Sequence, residues 1–458
     1  MKRPVLRANS KLRAVLGLSG VAFIERCSRA IERILPHVRV KRWIERTWTR
    51  PGSVWSSSAR TAIRITLAVG NEGEESSRSL TAEVERRPLP RSITAHQKTL
   101  DLREFEICKL IASRIDEVLQ NEALTASNAS MTAISEAFDE YVVANHVGSY
   151  NSLAVSVSSI FEALHTLSEQ TYENKALTFG CVLDPGETRH GAVGFPGSYL
   201  STKKYKALSD GFRTAYHISR SGLLLDFVDL ARFEIPSSTA RHYYPEWTEP
   251  IARSATSGRS GIVLSRQGDI LVFDGGSLRF TYRYGRWQYW NHAHLVNLLK
   301  DRARAQRVPP GILGKVVGAI YRAALDVSFR RSGGLFVILH NRNNLRQIVR
   351  PGDAIRDSQR GATDAQFDEV IAQHKFQTLP RVIAVELASL DGAVVLENSG
   401  VIRAYGAVLQ PKKAGRLRGT EGSRTKAAIG ASNYGLSVKV SSDGDITVYH
   451  NGAEFIRV

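Results

Sequence analysis

The chain has 458 residues, 43% of them hydrophobic and 23% charged, a balance that fits a soluble globular protein and excludes a disordered or fibrous one. Its length allows two or three domains whose cores need neither disulfides nor metals to hold them. The formal charge of +18 is concentrated at the start, where residues 1–70 carry 15 of the 62 Lys+Arg against 3 of the 44 Asp+Glu.

The basic character therefore belongs to an N-terminal arm, and the folded body is not expected to bind nucleic acid. Cys27, Cys108 and Cys181 show no C-x-x-C spacing, which fits a reducing cytoplasm better than a disulfide framework. The apolar run "AVLGLSGVAFI" (14–24) is too short to span a membrane. Acidic and basic residues follow it at once, unlike a cleaved signal. Ile24, Cys27, Ile31, Ile34 and Leu35 instead recur at helical spacing, with Arg26, Arg29 and Arg33 between them and Pro36 as the stop. Such a helix packs on the rest of the protein or, alternatively, rests on an anionic membrane surface.

Residues 52–100 read as linker, rich in Ser, Arg and Glu, apart from one strand in "TAIRITLAV". Residues 100–176 read as amphipathic helices, with Ile107, Leu110, Ile111, Ile115 and Val118 marking the first apolar face. The pattern then alternates. "ALTFGCVL" predicts a strand, "KYKALSDGFRTAYHIS" a helix, and "GIVLSRQGDILVFDGGSLRFTYRYGRWQYW" a series of short strands. Tyr282, Tyr284, Trp287, Tyr289 and Trp290 alternate with arginines, as a buried strand face does; base stacking is the alternative. "HAHLVNLLKDRARAQ" predicts a helix whose His292 and His294, two apart, do not share a face for a metal. Val308-Pro309-Pro310 then suggests a boundary. The expected domains are 1–100 (basic arm and linker), 101–310 (mixed α/β) and 311–458. The fold class is α/β (α+β), with a C-terminal mixed sheet flanked by helices.

The last block carries the chemistry. Asp391-Gly392-Ala393 opens a hairpin, with a carboxylate at its rim. Gly422-Ser423-Arg424-Thr425-Lys426 opens a helix, where free N–H groups, hydroxyls and cations can cradle phosphate. Lys412, Lys413, Arg416 and Arg418 make the preceding loop basic, and Ser441-Ser442-Asp443-Gly444 forms a second acidic turn. A carboxylate for a divalent cation and a cradle for polyphosphate, close in sequence, are what phosphoryl or nucleotidyl transfer requires.

In order and spacing these motifs resemble the diadenylate cyclase (DAC) domain of the DisA nucleotide-binding family, with its Asp-Gly-Ala, Gly-Thr-Arg-His-Arg and Val-Ser-Glu-Glu sequences. The resemblance covers 311–458. Residues 130–310 look like the sensor-type domain that precedes some DAC domains, with a ligand still unknown. The resemblance implies two domains face to face in a homodimer, each holding one ATP. Cyclic di-AMP, a second messenger, and pyrophosphate would be the products, with Mg2+ or Mn2+ as cofactor. Asp391, Gly392, Arg424 and Lys426 would then be catalytic. Ala393, Gly422, Ser423 and Thr425 would bind nucleotide, and Asp391 and Asp443 would hold metal. The departures are Thr425 where the family has histidine, Lys426 for arginine, and Ser442 for glutamate. The alternative is a DAC fold that senses a nucleotide without turning it over. The expected location is cytoplasmic, with membrane-surface contact through the arm as the variant.

Overall fold

The computed structural model describes residues 28–48, 62–67, 77–86, 100–120, 138–150, 156–186, 193–194, 208–232, 242–350, 352–355, 362–413 and 422–458. They form two compact units. One holds the described residues from 28 to 232 together with Pro250–Trp290, and the other holds 242–249 and Asn291–Val458.

In the first unit, residues 28–34 are helical and stop before Pro36. Ile31, Ile34 and Leu35 are buried in the core while Arg29 and Arg33 are exposed, so this face packs against protein. Cys27 and the run at 14–24 lie outside the described residues. A three-stranded antiparallel sheet follows, in the order β1 (Val38–Trp48), β3 (Ser77–Arg86) and β2 (Ala62–Leu67). Strand β3 corrects the linker expectation for this stretch. Leu80, Ala82 and Val84 alternate with polar residues, which gives a strand one apolar face, and Val84 is buried.

Three helices, α1 (Leu102–Gln120), α2 (Phe138–Tyr150) and α3 (Val157–Ser168), occupy the stretch expected to be helical. The strands that follow are β4 (Thr171–Tyr172), β5 (Lys175–Ala176), β6 (Phe179–Leu183), β7 (Val193–Gly194), β8 (Thr214–Ile218) and β9 (Leu223–Asp229). Then come β10 (Ser260–Leu264), β11 (Ile270–Asp274), β12 (Ser277–Arg283) and β13 (Arg286–Tyr289). Strands β4 and β5 form a small separate pair. The others make one sheet in the order β13-β12-β11-β10-β6-β8-β9-β7. Strand β8 overturns the helix expected through "GFRTAYHIS". The Asp210 carboxylate accepts hydrogen bonds from the N–H groups of Phe212, Arg213 and Thr214 at 2.8, 2.7 and 3.1 Å. Gly211 adopts φ +75°, so the chain turns there into an extended run. Trp287, Tyr289 and Trp290 are buried in the core, Tyr282 is partly buried against it, and Tyr284 is exposed, so most of the aromatic stretch is core. Cys108 and Cys181 are buried without a disulfide, and burial pushes both thiols up.

His146 on α2 stacks edge-on against Phe280, with ring centroids 5.3 Å apart. Burial, followed by the positive charges of Arg103 and Arg279, pushes its imidazole down to about 4. An unfolded histidine titrates near ~6.5, so as pH falls from there towards 4 the unfolded chain takes up a proton that the fold refuses. The first unit is therefore expected to lose about 3 kcal/mol of stability across that window. Denaturant titrations at stepped pH check this, and His146→Phe should flatten the slope.

The second unit contains α4 (His292–Ala305), α5 (Pro310–Phe329), β14 (Gly334–Leu339), α6 (Ala362–Ala372) and α7 (Arg381–Ser389). It continues with β15 (Ala393–Leu396), β16 (Ile402–Ala407), α8 (Ser423–Ala431), β17 (Gly435–Val440), β18 (Ile446–His450) and β19 (Ala453–Arg457). Pro309 and Pro310 start α5, where a missing N–H costs nothing. His292 is buried and its Nδ1 lies 2.8 Å from the Tyr321 hydroxyl, while the Asn291 side chain caps the helix at the N–H of His294. Both contacts are structural.

The sheet order is β16-β15-β14-β17-β18-β19, with β14 and β15 parallel and the other pairs antiparallel. All six residues of β14 are buried, as the unbroken apolar run "GLFVIL" requires of a central strand. Leu335, Val337 and Leu339 pack with Ala428 and Ile429 of α8 on one face. On the other face Phe336 meets Phe376, ring centroids 5.8 Å apart. The third strand of the terminal meander, β19, was not expected from the sequence.

Candidate functional site

Strand register decides which residues meet. Phe336 pairs with Val394 in the parallel β14–β15 ladder, so both strands start at the same end of the sheet. Gly334 pairs with Val440 in the antiparallel β14–β17 ladder, so β17 finishes at that end. Helix α8 runs back towards β17 and begins there too. Asp391, the first turn of α8 and the turn after Val440 are thus brought to one edge although they are far apart in sequence.

Helix α7 delivers Asp391 to this edge. Its first residue, Arg381, grips the buried Asp326 of α5 through Nε at 2.7 Å and an Nη at 2.9 Å. The same carboxylate accepts the N–H of Glu246 at 2.6 Å, and Arg381 also donates to the carbonyl of Tyr244. Burial pushes the Asp326 carboxyl up, and its bonds to Arg381 oppose the shift. Asp391 itself is fully exposed two residues beyond α7.

Gly392 has φ +121°, a conformation that suits glycine alone. A Cβ placed there would stand 2.6 Å from the Gly406 carbonyl oxygen and 2.7 Å from the Ala407 nitrogen. The backbone that approaches closely is that of β16. Ala393, buried, pairs with Ala407 just inside the edge.

Gly422 stands at the N-cap of α8 and offers no side chain to cap it, so the first-turn N–H groups have no side-chain acceptor there. Ser423 and Lys426 are exposed; Arg424 and Thr425 are partly buried. An Arg424 Nη lies 3.4 Å from Asp391 Oδ1. That guanidinium also rests against the bare Cα of Gly333, where any Cβ would collide with it. An exposed pair this long contributes little to stability, so a phosphate can take the guanidinium without unsettling the fold. Thr425 Oγ1 accepts a hydrogen bond from Lys439 Nζ of β17 at 2.9 Å.

Asp443 lies in the β17–β18 turn, held by the Gly444 carbonyl accepting from Ser328 Oγ at 2.6 Å. It lies at the same end of the sheet as Asp391 but about two and a half strand spacings away, about 12 Å. The structure therefore joins Asp391 to Arg424 but does not bring Asp443 to them. Among the described residues no group of three His, Cys, Asp or Glu converges as a metal cage. Lys412 and Lys413 are exposed, and the Lys413 ammonium lies 5.7 Å from the Tyr434 ring centroid. Arg416 and Arg418 lie outside the described residues.

Sequence reasoning missed Gly333 and Lys439. The signal for the second was present: a lysine interrupts the apolar alternation of "GLSVKV" in a strand that is otherwise buried. In the first unit, the Asp184 carboxylate, just beyond β6, accepts the Gly186 N–H at 2.8 Å and sits 3.0 Å from His217 Nε2.

Residues 321–454 match the family model described as DAC, DisA bacterial checkpoint controller nucleotide-binding. No curated protein matches the chain. Among solved structures, a hypothetical membrane spanning protein from Bacillus cereus is similar at 21% identity, with 36% of this chain and 74% of that chain covered and a TM-score of 0.25. A double cysteine mutant of DacA from Staphylococcus aureus is similar at 20% identity, with 31% and 87% covered and a TM-score of 0.20. Among the described residues no helix is long and apolar enough to cross a membrane.

Proposed function

We propose that the DAC nucleotide-binding domain at residues 321–454 condenses two ATP molecules to cyclic di-AMP and pyrophosphate. The observation that carries this reading is the 3.4 Å approach of Arg424 to Asp391, which unites the hairpin carboxylate and the phosphate cradle at one sheet edge.

The residues fit a divalent cation of the magnesium type. Such an ion needs one or two carboxylates and completes its shell with water and substrate phosphates, so the exposed Asp391 suffices. Asp391 would hold Mg2+ or Mn2+, which would supply positive charge to offset that of the triphosphate. Asp391 takes up the proton of the attacking 3′-hydroxyl. The N–H groups of Ser423 and Arg424, the Arg424 guanidinium and the Lys426 ammonium hold the triphosphate and the charge that grows on the leaving pyrophosphate. Gly422 and Gly392 keep side chains out of the way, and Ala393 seats the strand behind the carboxylate. One site holds one ATP, so ring closure requires a second copy of the domain, at least transiently. The first unit acts as a sensor that controls this encounter.

A second reading, nucleotide sensing without turnover, is favoured by one observation. Thr425 is already engaged by Lys439 and carries no imidazole. Purified protein incubated with ATP and Mn2+ or Mg2+, followed by mass spectrometry, separates the two. Cyclic di-AMP is expected, and Asp391→Asn should reduce it by at least about a hundredfold. Saturable ATP binding with no product would favour sensing, and neither product nor binding would remove both readings.

A further inference from the structure

Gly333 lies outside the motifs that mark the site, yet it shapes where one of their side chains can go. It ends the turn that leads from α5 into β14. Its φ lies outside the left-handed region, so the backbone there does not call for glycine. The three nearest atoms that a Cβ would meet all belong to the guanidinium of Arg424, with Cζ at 2.7 Å and an Nη at 3.4 Å. Gly334, next in the chain, is a different case. Its Cβ would stand 2.9 Å from the carbonyl oxygen of Ala388 and 3.1 Å from Val327. Gly334 thus answers to the packing of α5 and α7 on β14, whereas Gly333 answers to a mobile side chain. The far end of an arginine can swing away where backbone cannot. Alanine at 333 is therefore compatible with the fold and incompatible only with the place that the guanidinium occupies.

Resting on the nucleotide-binding reading above, we propose that Gly333 is a positioning residue for Arg424. The missing side chain leaves open the place at the sheet edge where the guanidinium lies within reach of Asp391 and of a bound triphosphate. The ion pair alone fixes that place weakly. It is 3.4 Å long, Asp391 is fully exposed, and a third of the Arg424 side chain is exposed as well. The space beside Gly333 is steric in origin, so it persists when Arg424 exchanges the carboxylate for a phosphate. Aim matters here because a guanidinium grips phosphate through a planar fork of N–H groups. A displacement of about 1 Å is enough to spoil such a contact. Gly333 acts through Arg424 and does not itself touch the nucleotide.

The test is a double-mutant cycle on the full chain, read by calorimetry with 3′-deoxyATP and Mg2+. This nucleotide lacks the attacking hydroxyl, so binding is measured without turnover. Gly333→Ala is expected to melt within about 2 °C of the parent and to bind about tenfold to a hundredfold more weakly. Arg424→Ala should weaken binding to a similar degree. Adding Gly333→Ala to Arg424→Ala should then change nothing, because the methyl group has no guanidinium left to displace. A merely structural glycine would lower the melting temperature and would add its loss to that of Arg424→Ala. Equal affinity in Gly333→Ala and the parent overturns the proposal and leaves the nucleotide site standing. A Gly333→Ala protein that melts far below the parent overturns it too, since the methyl would then meet more than a movable side chain. A parent protein that does not bind 3′-deoxyATP overturns the underlying reading, and this proposal with it.

Discussion

Gly392→Ala is expected to destabilise the second unit by about 3 kcal/mol or more, the joint cost of a strained φ and an overpacked contact. The substitution adds one methyl group, yet that group lands on backbone. The Gly406 carbonyl and the Ala407 nitrogen cannot rotate away as a side chain could. Either β15 lifts from β16 or residue 392 leaves φ +121°. Both moves displace Asp391, so ATP affinity should fall with stability. Thermal unfolding and ATP titration on the same preparation check the two together. A variant that melts with the parent would mean that the approach of the two strands is looser than the geometry requires. Gly422→Ala is the informative contrast, because a Cβ at that position meets nothing within 4 Å.

The second large effect concerns Asp326. Asp326→Ala should cost about 3–5 kcal/mol, since it strands a largely buried guanidinium and the N–H of Glu246. Arg381 starts α7, so loosening it frees the helix that carries Asp391. Chemical denaturation of Asp326→Ala checks that cost, and the same measurement on Asp326→Leu, Arg381→Met and the Asp326→Leu/Arg381→Met double variant measures the coupling. The double variant is expected to recover much of the loss, because an apolar pair of similar volume avoids burying charge. The carbonyl of Tyr244 would still lack its donor, which sets a limit on that recovery. Additive single losses would show that the two side chains are not acting as a pair.

Several features of the second unit were legible from local pattern. The run "GLFVIL" could only be a buried strand, and Asp443-Gly444 could only be a turn between strands. The order Asp391-Gly392-Ala393, then Gly422 to Lys426, is what suggests nucleotide chemistry, through its resemblance to the DAC motifs that the family match at residues 321–454 supports. Two elements were misread where local signals conflicted. The stretch 77–86 looks polar by composition, yet its period of two suits a strand once β1 and β2 are there to pair with it. The stretch after Asp210 has helix-forming residues, but the aspartate binds three following N–H groups and ends any helix there.

The sequence by itself determined the chemistry on offer at the sheet edge: the carboxylate, the uncapped glycine-led helix and the cations. Only the tertiary structure decided who meets whom. Strand register is a long-range property, set when β14 pairs with β15 on one side and β17 on the other. That pairing puts Arg424 beside Asp391, leaves Asp443 across two strands, and draws Lys439 to Thr425. Likewise, the positive φ of Gly392 follows from the neighbouring strand's backbone, which no local reading of Asp-Gly-Ala contains.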